Sequence, residues 1–456
     1  IRGRPAFGVW LDTVSIESAT VPGVAPWGRA AGRAPARSTS ASGWSSEMAP
    51  LERSSGLRVL YIVNAFPWPL TSGYLRHYHL IRELASRGHR ITLLSIVASE
   101  LEPTDRAALE SSTERIVAVP SDRSNRSLRG KTIRRLQVIS GGEPAATRLR
   151  DELTALRLDG DYDVALISGI RTFPALRALD GLPVVADVCD AASARVMGNL
   201  RHGPVGRLPL LVAELIEARI VERALVQHSV HTLFASRRDL QAVVGSEPGS
   251  TSTVVPNGVD LEYWRRPPHV GLGRREIVLS GAMDYPPNTD AALHLIHHVL
   301  PRVREEIPDA HLTIVGRDPT PALVGAGQSP GVTVTGRVAD VRPFLLAASV
   351  FAAPLRFGAG IQNKLLEALA MQLPTVASTN AADGLVAADG STPPLTVADE
   401  PDLFAAVLVR QLRAAEANPT PPIDGRDFVG RHFAWSRSGE ILDQILRTAA
   451  TKADAQ

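Results

Sequence analysis

From Leu57 onward, apolar runs and helical stripes alternate. LRVLYIVNAF is a short continuous apolar run, the pattern of a strand covered on both faces of a parallel sheet. The loop PWPLTSG follows, punctuated by proline and glycine, with Ser72 as a candidate N-cap. YLRHYHLIRELASRG then sets Tyr74, Leu75, Tyr78, Ile81, Leu84 and Ala85 on one helical stripe. Gly88 closes it before a second strand, HRITLLSIV. DVALIS, PVVADV, VHTLFAS and STVVPN repeat the strand signature, which predicts one doubly wound domain over 57–257.

PNGVDLEYWRRPPHVGLGRR, dense in proline and glycine, separates this block from a second one over 258–422. There REIVLSGAM, AHLTIVGRD, GVTVTGR, VFAAPL and PTVAS read as strands. NTDAALHLIHHVLPRVREEIP, ADVRPFLLAAS and a stretch starting near Gln362 or Asn363 read as helices. Strand–helix alternation of this length predicts an α/β fold. It consists of two Rossmann-like doubly wound parallel-sheet domains facing across a cleft, with ligands at the C-terminal strand edges. Residues 423–456 are expected to be helices packing back across both halves through Phe433 and Trp435. Residues 1–56 carry neither period and no apolar signal core. They read as a disordered segment, or as an extension upstream of a start near Met48.

Composition narrows the function classes. A net charge of +2 demands no polyanionic partner, so nucleic acid is not expected. The single cysteine, Cys189, excludes an internal disulfide framework and a thiolate metal cluster, and fits a reducing, cytoplasmic compartment. The most apolar stretch, LPLLVAELIEARIVERALV, carries Glu214, Glu217, Arg219, Glu222 and Arg223, the spacing of a water-facing helix rather than a membrane span. The preference for arginine and alanine suggests a GC-rich bacterial genome.

One residue stands out against this background. The chain has three lysines among 49 basic residues, and Lys364 falls in the first turn of a helix, where the macrodipole disfavours a cation. It follows FGAGIQN, whose Gly358 and Gly360 let backbone amides approach a ligand, so strand, glycine loop and helix N-terminus form an anion site. Glu367 lies one turn deeper on the same face, suited to accept from ribose hydroxyls. Phosphate above and diol below describe a nucleotide. The plain alternative is an exposed i,i+3 ion pair.

VVPNGVDLEYW, LSGAMDYPPNTDAALHLIHHVLPRVREEIPDAHLTIVGRDP and VTGRVADVRPFLLAASVFAAPLRFGAGIQNKLLEALAMQLPTVAS resemble the retaining GT-B glycosyltransferases of family 4, most of all the sugar transferases of exopolysaccharide clusters. The resemblance implies a nucleotide-sugar donor held mainly by the second domain and a glycan or lipid-linked acceptor held by the first. It implies no cofactor. Glu367 matches the second glutamate of the family's glutamate pair, while the first is replaced by Ala359. Ala282 and Asn288 stand where basic phosphate ligands are usual, which leaves Lys364, with Arg317 beside Gly316, to supply the phosphate charge. Gly281, Met283 and Asp284 are expected along the same edge, with Phe357, Gly358, Gly360, Ile361, Gln362 and Asn363 around the diphosphate. Lys364 and Glu367 are the candidate catalytic residues. Gly73, Arg76 and Asp187 are the candidates on the acceptor side; an N-cap role is the alternative for Asp187 and Asp190.

Other signals are set aside. Asp161-Tyr162-Asp163 resembles a metal-binding DxD but precedes a strand, the wrong end for a ligand, and no obligatory metal is expected. His294, His297 and His298 share a helix without a spaced carboxylate or cysteine. No G-x-G-x-x-G follows the first strand, which disfavours a dinucleotide oxidoreductase. The basic run DRSNRSLRGKTIRR reads as a solvated loop or as a patch for anionic membrane at the inner face. The functional expectation is a metal-independent, retaining glycosyltransferase. The alternatives are a nucleotide-sugar epimerase or hydrolase on the same scaffold, and a catalytically silent partner subunit.

Overall fold

The computed structural model describes residues 56–70, 74–121, 144–159, 161–202, 208–245, 251–358 and 360–453. Gly73, Ala359, most of residues 1–56 and the basic run after Ser121 lie outside the described residues.

The first half is a parallel sheet of β1 (Arg58–Val63), β2 (Arg90–Val97), β3 (Arg115–Pro120), β4 (Val164–Ser168), β5 (Val184–Cys189), β6 (His231–Phe234) and β7 (Ser252–Val254). The spatial order is β3-β2-β1-β4-β5-β6-β7, so the order reverses between β1 and β4. The apolar run of β1 explains its place at the centre. Val59, Tyr61 and Val63 enter the core on one face, Leu60 and Ile62 the core on the other. β3 has no counterpart among the strands expected from the sequence. Its burial is partial, and the segment RIVAVP is led and closed by an exposed Arg115 and Pro120, which weakens its pattern.

The second half repeats the plan with β8 (Glu276–Ser280), β9 (His311–Val315), β10 (Val332–Val334), β11 (Val350–Ala353), β12 (Thr375–Ala377) and β13 (Thr396–Val397), ordered β10-β9-β8-β11-β12-β13. Here the reversal falls between β8 and β11. The helices that build the site are α1 (Leu75–Ser86), α2 (Ala192–His202), α3 (Leu208–His228), α4 (Arg237–Val244), α5 (Pro286–His294) and α6 (Asn363–Ala370), followed by α7 (Asp424–His432) and α8 (Trp435–Ala453).

Neighbours in sequence at the chain's end part company in space. Phe428 and Phe433 join the core of the second half, whereas Trp435, Leu442, Leu446 and Ala449 join that of the first. The crossover is tied to the earlier linker: the Val259 amide donates to the Phe433 carbonyl at 2.7 Å, and the Ser438 hydroxyl to the Pro256 carbonyl at 2.7 Å. Gly258 is needed there, because a Cβ would lie 2.6 Å from the Trp435 nitrogen.

Candidate functional site

The reversal point of each sheet leaves a crevice at the carboxyl ends of the strands. In the second half, β8 is followed by Gly281, whose φ of 154° and absent side chain admit Asn288; a Cβ would lie 2.7 Å from its Nδ2. Asn288, in the first turn of α5, donates from Nδ2 to the Ala282 carbonyl at 2.9 Å, which turns its Oδ1 toward the crevice. Lys364 Nζ donates to that oxygen. Gly316, at the end of β9, packs so closely that a Cβ would meet the Gly281 carbonyl at 1.7 Å.

Lys364 occupies the first turn of α6 and is half-buried. It makes no ion pair among the described residues, and its hydrogen-bond acceptor is the neutral Asn288. Loss of water lowers its ammonium to about 8, with Glu367 opposing the shift. Glu367, also half-buried, is pushed up to about 7 by the same loss of water, against the pull of Lys364. The Glu367 carboxyl has no hydrogen-bond partner among the described residues. The Gly358, Gly360 and Ile361 amides likewise find no acceptor there, while the Gly358 and Gly360 carbonyls each accept from Arg238 at 3.4 Å. The loop thus turns carbonyls toward an arginine and leaves amides and an ammonium for an anion.

Several candidate residues sit differently from expectation. Arg76 and Asp187, expected on the acceptor side, are corrected to a buried ion pair, 3% and 0% exposed. Arg76 donates from Nε at 2.8 Å and from Nη2 at 3.0 Å to the two Asp187 oxygens. Its Nη1 reaches the Val255 carbonyl at 2.8 Å and Asn257 Oδ1 at 3.1 Å, so four of its five N–H donors are engaged inside the protein. Asn257 in turn donates to Asn363 Oδ1, at the start of α6, at 3.3 Å. The pair therefore positions the linker and, through it, the start of α6. Met283 is fully buried and cannot line the edge with its side chain; its amide holds the Arg317 carbonyl at 2.8 Å. Arg317 is paired with Asp318 and lies 3.6 Å from Asp284, so its charge is already matched by carboxylates. Phe357, Ile361 and Gln362 are buried and shape the loop from beneath.

Arg238, Asn257 and Asn380, outside the expected set, complete the cleft together with Asp190. Arg238, in the first turn of α4, crosses from the first half to Asn380 and the glycine loop. Asn380 receives Arg238, as Asn257 receives its buried counterpart Arg76. The sequence signal for Arg238 is Ser236-x-x-Asp239 after a strand, where Ser236 caps the helix by accepting from the Asp239 amide at 3.1 Å. Asp190, at the end of β5, reaches across to Gly360, where a Cβ would lie 2.2 Å from its Oδ1. Water reaches Asp190, yet protein on both sides of the cleft and the nearby Asp239 push its carboxyl up to about 6. Asp163, by contrast, accepts from the Arg58 amide at 2.6 Å at the opposite end of the sheet, a turn contact as its sequence position suggested.

Residues 274–414 match the family model described as Glycosyl transferases group 1. Through this half the chain is similar to the group 1 glycosyl transferases. Among curated relatives, the phosphatidyl-myo-inositol mannosyltransferase of Mycobacterium tuberculosis H37Rv is 30% identical over 215 residues, 45% of this chain and 55% of the relative. The chain thus spans about half the length of that relative. The Mycolicibacterium smegmatis protein of the same name is 27% identical over 338 residues, 70% of this chain and 82% of the relative. Among solved structures, Anabaena HepE in complex with UDP superposes with a TM-score of 0.60 at 12% identity, covering 86% of this chain and 100% of that one. Sucrose-phosphate synthase from Thermosynechococcus elongatus gives 0.61 at 14% identity, covering 86% and 98%. At these identities the structures establish the GT-B fold of this chain.

Proposed function

We propose that this protein moves a sugar from a nucleoside diphosphate sugar to a glycan or lipid-linked acceptor, without a metal and with retention at the anomeric carbon. The observation that carries the reading is Lys364: a water-poor ammonium at a helix N-terminus, on a glycine loop with free amides, matched by a neutral asparagine instead of a carboxylate. A diphosphate supplies the missing negative charge. Glu367, one turn deeper, is free to take the ribose hydroxyls.

The anomeric carbon–oxygen bond breaks toward the diphosphate, whose growing charge falls on Lys364 and the Gly358–Ile361 amides. The acceptor hydroxyl attacks from the departing side, forming the new glycosidic bond, and its proton passes to the leaving phosphate oxygen. No enzyme nucleophile is needed. Lys364 and the loop amides at the phosphate take the part a divalent cation would play, which supports metal independence. Arg238 and Asp190, both from the first half, close on the glycine loop and shield the reacting centre from water.

The mannosyltransferase names of the relatives and the UDP of HepE suggest where to begin with sugar and base; a tie to exopolysaccharide synthesis and a place on the inner membrane face belong to the same reading. Calorimetry with UDP, GDP, ADP and TDP, followed by turnover of the radiolabelled sugar nucleotide with and without acceptor, tests it. Labelled glycan that forms only with acceptor is the expected result. Acceptor-independent conversion of the sugar would favour an epimerase or hydrolase, and binding without turnover a silent subunit.

A further inference from the structure

Phe357 and Gly358, with Arg356 and Asn380, also form one wall of an adjoining cavity of about 670 Å³, which includes neither Lys364 nor Glu367. The other walls come from α2, α3 and α4 of the first half. Four guanidinium groups line it, those of Arg219, Arg223, Arg238 and Arg356, against one carboxyl, Glu222. Their engagements differ. Arg356 is held by Asp290 at 2.8 Å, and Arg238 is spent on carbonyls. Glu222 is buried and accepts from the Ser193 amide at 3.0 Å, so its charge is turned to the start of α2 rather than to the arginines. Arg219 and Arg223, one turn apart on α3, are exposed and have neither hydrogen bond nor ion pair among the described residues. Two guanidinium forks on one helix face, aimed into an arginine-rich cavity, are chemistry for a phosphate.

The same helix carries a second feature. Val212, Ile216 and Ile220 are 43%, 54% and 41% exposed, and their four-residue spacing puts them in one apolar stripe alongside the arginine pair. Charged cavity and apolar stripe adjoin on a single element, next to the loop that holds the donor.

We propose that the α2–α3–α4 cavity is a phosphate site, with Arg219 and Arg223 as its ligands, and that it grips a phosphate-bearing acceptor. The word acceptor rests on the transferase reading above; the phosphate site does not. Phosphate chemistry is common to a lipid headgroup and a soluble sugar phosphate, and the experiment separates them.

Full-length protein saturated with UDP is titrated with inorganic pyrophosphate by calorimetry, so that the donor crevice is occupied. Arg219→Ser/Arg223→Ser is expected to weaken pyrophosphate by about tenfold or more, the effect of two charge-assisted contacts. UDP affinity and circular dichroism should be retained, which shows a folded variant. Arg410→Ser/Arg413→Ser, equal in charge change and placed on another helix, should leave pyrophosphate binding intact. Repeating the titration without UDP in Lys364→Met frees the result from the donor reading: a phosphate site lost only with Arg219 and Arg223 stands even if nucleotide never binds. Vesicles of phosphatidylcholine with and without phosphatidate then identify the source. Phosphatidate-dependent binding lost in both the arginine variant and Val212→Ser/Ile216→Ser/Ile220→Ser supports the site and assigns it to lipid phosphate. Arginine-dependent pyrophosphate binding with no preference for phosphatidate supports the site and assigns it to a soluble phosphate. Pyrophosphate affinity unchanged by the arginine variant, or equally reduced by the Arg410/Arg413 control, overturns the proposal.

Discussion

The two halves share one plan and treat its crevice in opposite ways. Beside the reversal of the first sheet, the cation is Arg76, and the protein fills its charge from within through both oxygens of Asp187. At the reversal of the second, the cation is Lys364, and the protein offers it only an amide oxygen. A charge satisfied internally holds structure together; a charge left short of its partner waits for a ligand. On the proposed reading, the same scaffold separates a positioning centre from a binding centre by the choice of one neighbour.

Breaking the first centre should have the largest effect. Arg76→Met leaves Asp187 buried and unmatched, and should cost about 3–5 kcal/mol in urea unfolding. Lys364→Met should leave unfolding almost unchanged while weakening nucleoside diphosphate binding by about 10–100-fold in calorimetry, the range of one charged contact. A loss of stability in the second comparable with the first would erase the distinction. Gly360→Ala comes next: the residue has φ 73°, and a Cβ would sit 2.2 Å from Asp190. A cost of about 1–2 kcal/mol in stability, with reduced turnover, is expected from the left-handed backbone alone. The smallest effect is on pH.

Lys364 is lowered to about 8 in the fold, so raising pH through that value removes the ammonium and weakens diphosphate binding. The loss should be about threefold between pH 7.5 and 8.5, and absent in Lys364→Met. The sign for stability is the reverse. Without ligand the folded chain holds fewer protons here than the unfolded one between about 8 and 10.5, so this group's contribution to stability rises with pH across that window.

What could be read from the chain follows the range of the forces involved. β1, β8 and the helix beginning at Asn363 announce themselves by local period, since each is buried along its own length. β13, two residues long and partly exposed, carries no such signature and exists through its pairing with β12. The glycine loop and Lys364 were legible because glycine, helix start and cation are neighbours in sequence. Arg238 and Asp190 were not placed on that loop, because each meets it from the other half of the molecule. Arg76 read as a residue of the acceptor surface for a similar reason: its partner lies 111 positions away and nothing local reveals that it is buried.

Phe433 and Trp435 are anchored in different cores, and the strand of chain between them is fastened to the earlier linker at Val259 and Pro256. Both passages of the polypeptide between the halves are therefore knotted at one spot. Sliding of one half along the other would tear that knot, whereas turning about it keeps both linker ties and parts only contacts across the cleft such as those of Arg238. Such a fastening is that of a book with a single stitched spine, the place about which the two covers would turn.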